Sequence, residues 1–254
     1  MRILLTNDDG YHAPGFAVLE ELARQFSDDI WVCAPSEEQS GAGHSLTLNH
    51  PVRLQKFAER RFAVTGTPTD SVMMALREVM DSPPDLILSG VNRGANLGDD
   101  ITYSGTVSAA IEGALAGIRS IALSQVYSRA TIESGDLFSA AREWGPRVIE
   151  PLLDAPFDDR TLVNVNFPPR APADVSGIRI VRQGFHDYSR GSIVEGKDPR
   201  GHRYFWFGLH AIEHTADHGT DLEAIDEGFV AVTPLQLDLT HHASLDAMTK
   251  RFEG

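Results

Sequence analysis

Ile3-Leu4-Leu5-Thr6-Asn7-Asp8-Asp9-Gly10 is the stretch on which the reading of the fold turns. Its apolar residues run on without polar alternation, so the segment reads as a strand buried on both faces. Asn7-Asp8-Asp9-Gly10 then cuts it off as a polar loop. Pro14 opens a helical pattern carrying Phe16, Leu19, Leu22 and Phe26, spaced by three or four. Ile30-Trp31-Val32-Cys33-Ala34 is the next buried run. Strand, loop, helix and strand in that order make a parallel βαβ unit and predict a doubly wound α/β fold.

Working outward, a glycine- and serine-rich loop occupies 36–45, with short strands predicted over 46–54 and 61–64. Thr67-Pro68-Thr69-Asp70 is a helix start: an N-cap hydroxyl, a proline in the first turn and a carboxylate near the positive end. That helix is expected to run to about Met80. Leu86-Ile87-Leu88 is a buried strand that ends in a second polar loop, 89–105. A small-residue helix over 106–117, a strand over 121–123, a helix over 137–153 and a strand over 161–167 follow. Beyond Pro168 the texture changes. Residues 184–219 are rich in His, Asp, Gly, Tyr and Arg with weak periodicity, too long for an ordinary loop. They read as an arm or β-rich extension that packs on a neighbouring subunit. Phe229-Val230-Ala231-Val232 returns as a strand, and 244–252 reads as a helix. The expected organisation is one domain over 1–254: a core over about 1–183, the arm over 184–219, and a return strand and helix over 220–254.

Composition bounds the function. With 254 residues, 42% hydrophobic and 23% charged, the chain can bury one sizeable core. No apolar run is long enough to span a bilayer, and the first residues lead straight into a strand rather than a signal peptide. One cysteine, Cys33, excludes a disulfide framework and a thiolate zinc site, which fits a reducing, cytoplasmic setting. The net charge of −14 disfavours a long nucleic-acid partner. It also repels a small phosphate ester, so such a substrate would need a cation or helix amides to hold it.

In an open parallel sheet, ligands bind at the carboxyl ends of the strands. The polar loops 7–10, 36–45 and 89–105 are expected there. Asp8 and Asp9 repel each other unless a cation lies between them, and the turn that Gly10 permits lets both converge on one Mg²⁺ or Mn²⁺. Asn-Asp-Asp-Gly is equally good chemistry for a solvated turn. The loop Gly90-Val91-Asn92-Arg93-Gly94-Ala95-Asn96-Leu97-Gly98-Asp99-Asp100 is either a ligand loop, with asparagine carbonyls as hard neutral oxygens, or an ordinary asparagine-capped loop. Tyr103-Ser104-Gly105-Thr106 begins a helix, where hydroxyls and free amides suit phosphate, although a serine N-cap is also common there. Ser40 offers only a neutral hydroxyl, and spacing does not single it out. His44 is a candidate general acid or simply exposed. His210, His214, His218, His241 and His242 lack zinc-ligand spacing and read as surface residues.

These blocks, in one order along nearly the whole chain, resemble the SurE family, the survival-protein 5′-nucleotidases. The match rests on Ile3 through Gly10 with His12-Ala13-Pro14-Gly15, on Ala34-Pro35, Ser40-Gly41 and Ser45-Leu46-Thr47, and on Gly66-Thr67-Pro68-Thr69-Asp70. It continues through Ser89-Gly90-Val91-Asn92, Gly98-Asp99-Asp100 and Tyr103-Ser104-Gly105-Thr106-Val107, then Asp198-Pro199-Arg200-Gly201, Gly219-Thr220-Asp221 and Asp226-Glu227-Gly228. The resemblance implies a Rossmann-like, mostly parallel sheet with an extended C-terminal region, assembled as a homodimer or homotetramer. It implies one divalent metal per subunit, Mn or Mg, held by Asp8, Asp9, Ser40 and Asn92, with Asn96, Ser104, Gly105 and Thr106 at the phosphate. It implies hydrolysis of nucleoside 5′- and 3′-monophosphates, and in some relatives of short polyphosphate. Arg93, Ala95 and Gly43-His44 stand where the family varies.

Two other readings compete. A haloacid-dehalogenase-type phosphatase would phosphorylate an aspartate after the first strand, but it separates nucleophile and acid by one residue, whereas Asp8 and Asp9 are adjacent. A nucleotide-binding module without turnover would have no need of paired carboxylates facing an anion site.

Overall fold

The computed structural model describes residues 1–186, 191–209 and 219–252. The chain opens with β1 (Arg2–Thr6), α1 (Pro14–Ala23) and β2 (Asp29–Pro35), the expected βαβ unit. Next come β3 (Leu54–Ala58), β4 (Arg61–Val64), α2 (Pro68–Met74), β5 (Leu86–Arg93), α3 (Gly105–Leu115) and β6 (Arg119–Gln125). They are followed by α4 (Arg129–Glu133), α5 (Ser139–Asp154), β7 (Thr161–Phe167), β8 (Gly177–Ile180), β9 (Gly191–Lys197), β10 (Arg203–Leu209), α6 (Asp221–Asp226), β11 (Phe229–Gln236) and α7 (His242–Phe252).

Among the described residues, nine strands form one sheet in the order β3-β4-β2-β1-β5-β6-β7-β11-β8. All neighbours run parallel except β3 against β4 and β11 against β7. The chain builds leftward from β1 to β2 and then restarts on its other side at β5. That places the topological switch point between β1 and β5, where Thr6 pairs with Ser89.

β1 shows why the unbroken apolar run mattered. Ile3 and Leu5 pack on one face with Phe16, Leu19 and Leu22 of α1 and with Val148 and Ile149 of α5. Leu4 faces the other way, among Cys33, Val64, Val72, Ile87 and Ala109 under α2 and α3. Ile3, Leu4 and Leu5 are all fully buried. Cys33 is free, and burial pushes its thiol up to about 12.

The α2 start matches its sequence signature. Thr67 Oγ1 accepts from Asp70 N at 3.1 Å while Thr67 N donates to Asp70 Oδ2 at 2.8 Å, a capping box. The same pair fastens the preceding loop, because Thr67 Oγ1 donates to Ser45 O and Thr47 N donates to Asp70 Oδ1.

Two expectations need correction. Residues 46–53 carry no strand; pairing begins only at Leu54, and Leu48 stands 84% exposed. Pro51 removes a ladder donor, and Leu48 has no core to meet. The helix begun at Thr67 does not continue regularly to Met80. After Met74 it widens into a π-type turn, Ala75–Val79, where Met80 N donates to Ala75 O. The edge strand β8 was not anticipated; it has only four residues, alternating half-buried and exposed.

The expected β-rich arm takes the form of a β9–β10 hairpin, separate from the main sheet, with Arg203 opposite Lys197. Its tip is pinned by Asp198 Oδ1, which accepts from Arg200 N and His202 N. Among the described residues no helix is long and apolar enough to cross a membrane.

Candidate active site

The loop after β1 is drawn in by its own polar groups. Asn7 Nδ2 donates to Gly10 O at 2.9 Å, and Tyr11 N donates to Pro35 O at the end of β2. Gly10 has a φ of +98°, and a Cβ there would sit 3.1 Å from the carbonyl carbon of Glu37. Glycine is therefore required both by conformation and by the close approach of the 36–45 loop. Gln39 N donates to Asp8 O at 2.8 Å, and Gly43 N to Tyr103 O, so that loop bridges the ends of β1 and of the β5 loop.

Asp8 and Asp9 have different hydrogen-bond partners. Asp8 is buried, its Oδ1 accepting the hydroxyl of Thr106. Gly105 lies against it so closely that an added Cβ would fall 2.7 Å from Asp8 Cβ. Asp8 thus sits at the amino end of α3. Burial, helped by the neighbouring Asp9 charge and opposed by the Thr106 hydroxyl, pushes its carboxyl up to about 6. Asp9 is half-buried and its Oδ2 accepts Arg93 N at 3.0 Å. Burial again raises its carboxyl above the ordinary value; the Arg93 amide opposes this and Glu38 adds to it.

On the β5 side, the strand register against β6 slips between Ser89 and Asn92, a bulge that re-aims the chain at the site. Gly90 has a φ of +135°, and a Cβ there would meet Leu123 O at 2.2 Å. Asn92 Nδ2 donates to Gly94 O at 3.1 Å, which leaves its Oδ1 as the atom for a ligand. Ser40 is exposed and donates its hydroxyl to Glu38 Oε1 at 2.8 Å.

A cleft of about 520 Å³ opens here, lined by Asp9, Glu38, Ser40, Arg93, Phe138 and Arg142 among others. Asp9 and Ser40 share its wall. Asp8 and Asn92 are sequence neighbours of two lining residues, Asp9 and Arg93, which are themselves hydrogen-bonded.

Ser104 is the N-cap of α3, accepting Val107 N at 3.0 Å. The amides of Gly105 and Thr106 precede the first intrahelical bond and are the helix-start donors. Asn96 is buried, and its Nδ2 donates one hydrogen to Ser124 Oγ at 2.8 Å. His44 Nε2 pairs with Glu112 Oε2 on α3. His241 and His242 are exposed, while His210, His214 and His218 lie outside the described residues.

Two features were missed in the sequence. Asn164 and Asn166 on β7 are fully buried and reach the loop at Asn96. Their signal was present: two asparagines spaced by two in an apolar strand share one face. Asp221 at the start of α6 accepts Gly98 N and Gly184 N, both at 2.8 Å, joining the ligand loop to the root of the arm.

Among the described residues no group of three or more His, Cys, Asp or Glu side chains is placed to hold a metal. The expected set differs in kind: two carboxylates, a hydroxyl and an amide oxygen, all hard donors suited to Mg²⁺ or Mn²⁺. Among the described residues, those that act on the buried Asp8 carboxyl are Thr106 and Asp9, neither of them a cation, and the hard oxygen donors of the expected set are chemically suited to one.

Residues 3–190 match the family model described as Survival protein SurE. The chain belongs to the SurE family. It is 73% identical over 254 residues to "5′-nucleotidase SurE" of Erythrobacter litoralis, covering 100% of both chains. It is 62% identical over 250 residues to the SurE protein of the same name from Rhizorhabdus wittichii, covering 98% of each. The crystal structure of SurE protein from Aquifex aeolicus superposes with a TM-score of 0.84 at 36% identity and full coverage of both chains. The mostly parallel sheet with flanking helices is therefore the SurE fold.

Proposed function

We propose that the chain is a 5′-nucleotidase that hydrolyses nucleoside 5′-monophosphates to nucleoside and phosphate, assisted by one divalent cation per subunit. The relatives that share its full length carry the name 5′-nucleotidase. One observation supports the chemistry most: the Asp8 carboxylate is buried against the amino end of α3, at the switch point of the sheet. An acidic ligand and an anion site are thereby adjacent, on a protein whose charge of −14 otherwise repels phosphate.

Asp8, Asp9, Ser40 and Asn92 would hold the cation, Mn²⁺ or Mg²⁺. When bound, it polarises the phosphoryl oxygen and makes the attacking water more acidic. The chain's own groups do the rest. The amides of Gly105 and Thr106, backed by the α3 dipole, stabilise charge on the transferring phosphoryl group. The second amide hydrogen of Asn96, the one not given to Ser124, is a further donor to the same oxygens. Asp8 or Asp9 takes the proton from water. Activity on 3′-monophosphates and short polyphosphate rests on family resemblance.

The same reading assigns the enzyme to the cytoplasm, with no long nucleic-acid or membrane partner, as a homodimer or homotetramer joined through the arm. The test is phosphate release from a panel of 5′- and 3′-mononucleotides with Mn²⁺. Turnover of 5′-mononucleotides is expected; absence of turnover on all of them contradicts the proposal.

A further inference from the structure

Asn166 does not line the cleft, yet it grips the backbone of Asn96 at both of its polar groups. Its Oδ1 accepts Asn96 N at 2.9 Å and its Nδ2 donates to Asn96 O at 2.9 Å. Asn164, two residues earlier on β7 and on the same face, donates Nδ2 to the same carbonyl at 2.7 Å. Asn96 in turn donates to Ser124 Oγ, and Ser124 is the register partner of Asn166 across β6 and β7.

Ser124, Asn164 and Asn166 are all fully buried. Carboxamides on β7, an interior strand between β6 and β11, are costly to bury and replace apolar side chains that would fill the space without needing partners. Asn166 acts as an extra ladder rung, and Asn164 adds one further donor. The planar amide of Asn166 offers one acceptor and one donor, as a neighbouring strand would, to a loop residue that has no strand beside it. The loop is also held at Gly94, whose N donates to Gln125 O, and at Gly98, bound by Asp221. Asn96 lies midway between these anchors.

We infer that Asn166, supported by Asn164, is a positioning residue for catalysis: it fixes the backbone of Asn96 and so aims the Asn96 side chain at the phosphate. This rests on the reading of Asn96 as a phosphate contact. A misplacement of about an ångström in such a group costs on the order of a hundredfold in rate.

The experiment compares the parent enzyme with Asn166→Asp, Asn166→Ser and Asn96→Ala, assayed on a nucleoside 5′-monophosphate with Mn²⁺ and corrected for folded fraction. Asn166→Asp keeps the shape and the acceptor but turns a lone pair toward Asn96 O. Asn166→Ser leaves room for water and serves if the aspartate variant does not fold. The expected result is a kcat lower by at least roughly tenfold with a smaller change in KM. Backbone amide exchange over 94–100 should be faster, while exchange in β1 and β2 is unchanged. A kcat within about twofold of the parent, with Asn96→Ala inactive, overturns this role, even if the melting temperature falls. An active Asn96→Ala instead overturns the phosphate reading of Asn96, and the role of Asn166 with it.

Discussion

The hydroxyl of Thr106 donates to Oδ1 of Asp8 across the gap between the start of α3 and the end of β1. Both residues are buried, so no water stands ready to replace that donor. Thr106→Val keeps the volume and removes the bond. It should cost about 1–3 kcal/mol in urea unfolding of metal-free protein near pH 8, where Asp8 is ionised, and less near pH 5. Equal stability of variant and parent at pH 8 would show that the bond does not hold Asp8.

Asp8 also makes the pH dependence of the metal-free protein readable. Its folded carboxyl lies near 6, above the ordinary 3.8, because burial disfavours the charge. A raised carboxyl contributes stability that is fully present below the unfolded value and is lost as pH rises through about 6. Metal-free protein should therefore lose stability from this group between about pH 4 and pH 6, by on the order of 3 kcal/mol at most. Asp8→Asn should flatten that loss and be more stable than the parent without metal at pH 7.5. A parent whose stability rises steadily from about pH 4 to pH 6, with Asp8→Asn no different, contradicts the assignment.

Gly105→Ala tests how closely α3 approaches the carboxylate. The new Cβ would lie 2.7 Å from Asp8 Cβ and 3.0 Å from Pro68 Cγ, so backbone must move. We expect a loss of about 1–3 kcal/mol and a fall in kcat larger than any change in KM. An alanine variant with parental melting temperature and kcat would show that the contact is loose.

How much of this was legible beforehand follows from range. β1, α1 and β2 were readable because their apolar spacing is local, and the helix start at Thr67-Pro68-Thr69-Asp70 because its N-cap, proline and carboxylate lie within one turn. The stretch 46–53 misled because its leucines imitate a strand while Pro51 prevents the ladder. Adjacency of Asp8 and Asp9 suggested a cation, but nothing local pointed to Ser40, which entered only through the family resemblance. The grip of Asn166 on Asn96 spans a separation of 70 residues, and no periodicity encodes such a contact. Likewise the arm could be seen as unusual, yet its hairpin register depends on pairing across the turn at 198–202.

The arm carries a prediction of its own. Trp206 is 67% and Phe207 86% exposed, on opposite faces of β10, and Ile193 on β9 is 65% exposed. A monomer rarely leaves such a patch open, and a two-fold partner is the commonest cover. Light scattering at micromolar concentration should give a dimer or tetramer, shifted toward monomer by Phe207→Ser with Trp206→Ser. A strict monomer in the parent shows that the arm serves its own chain.

The most direct measurement is phosphate release from a nucleoside 5′-monophosphate after EDTA treatment, and again after Mn²⁺ is restored, in the parent and in Asp9→Asn. The account predicts a loss of at least roughly a hundredfold on stripping and recovery in the parent alone, with Asp9→Asn folded but inactive. Full turnover by the metal-free parent, or near-normal turnover by Asp9→Asn, would contradict it.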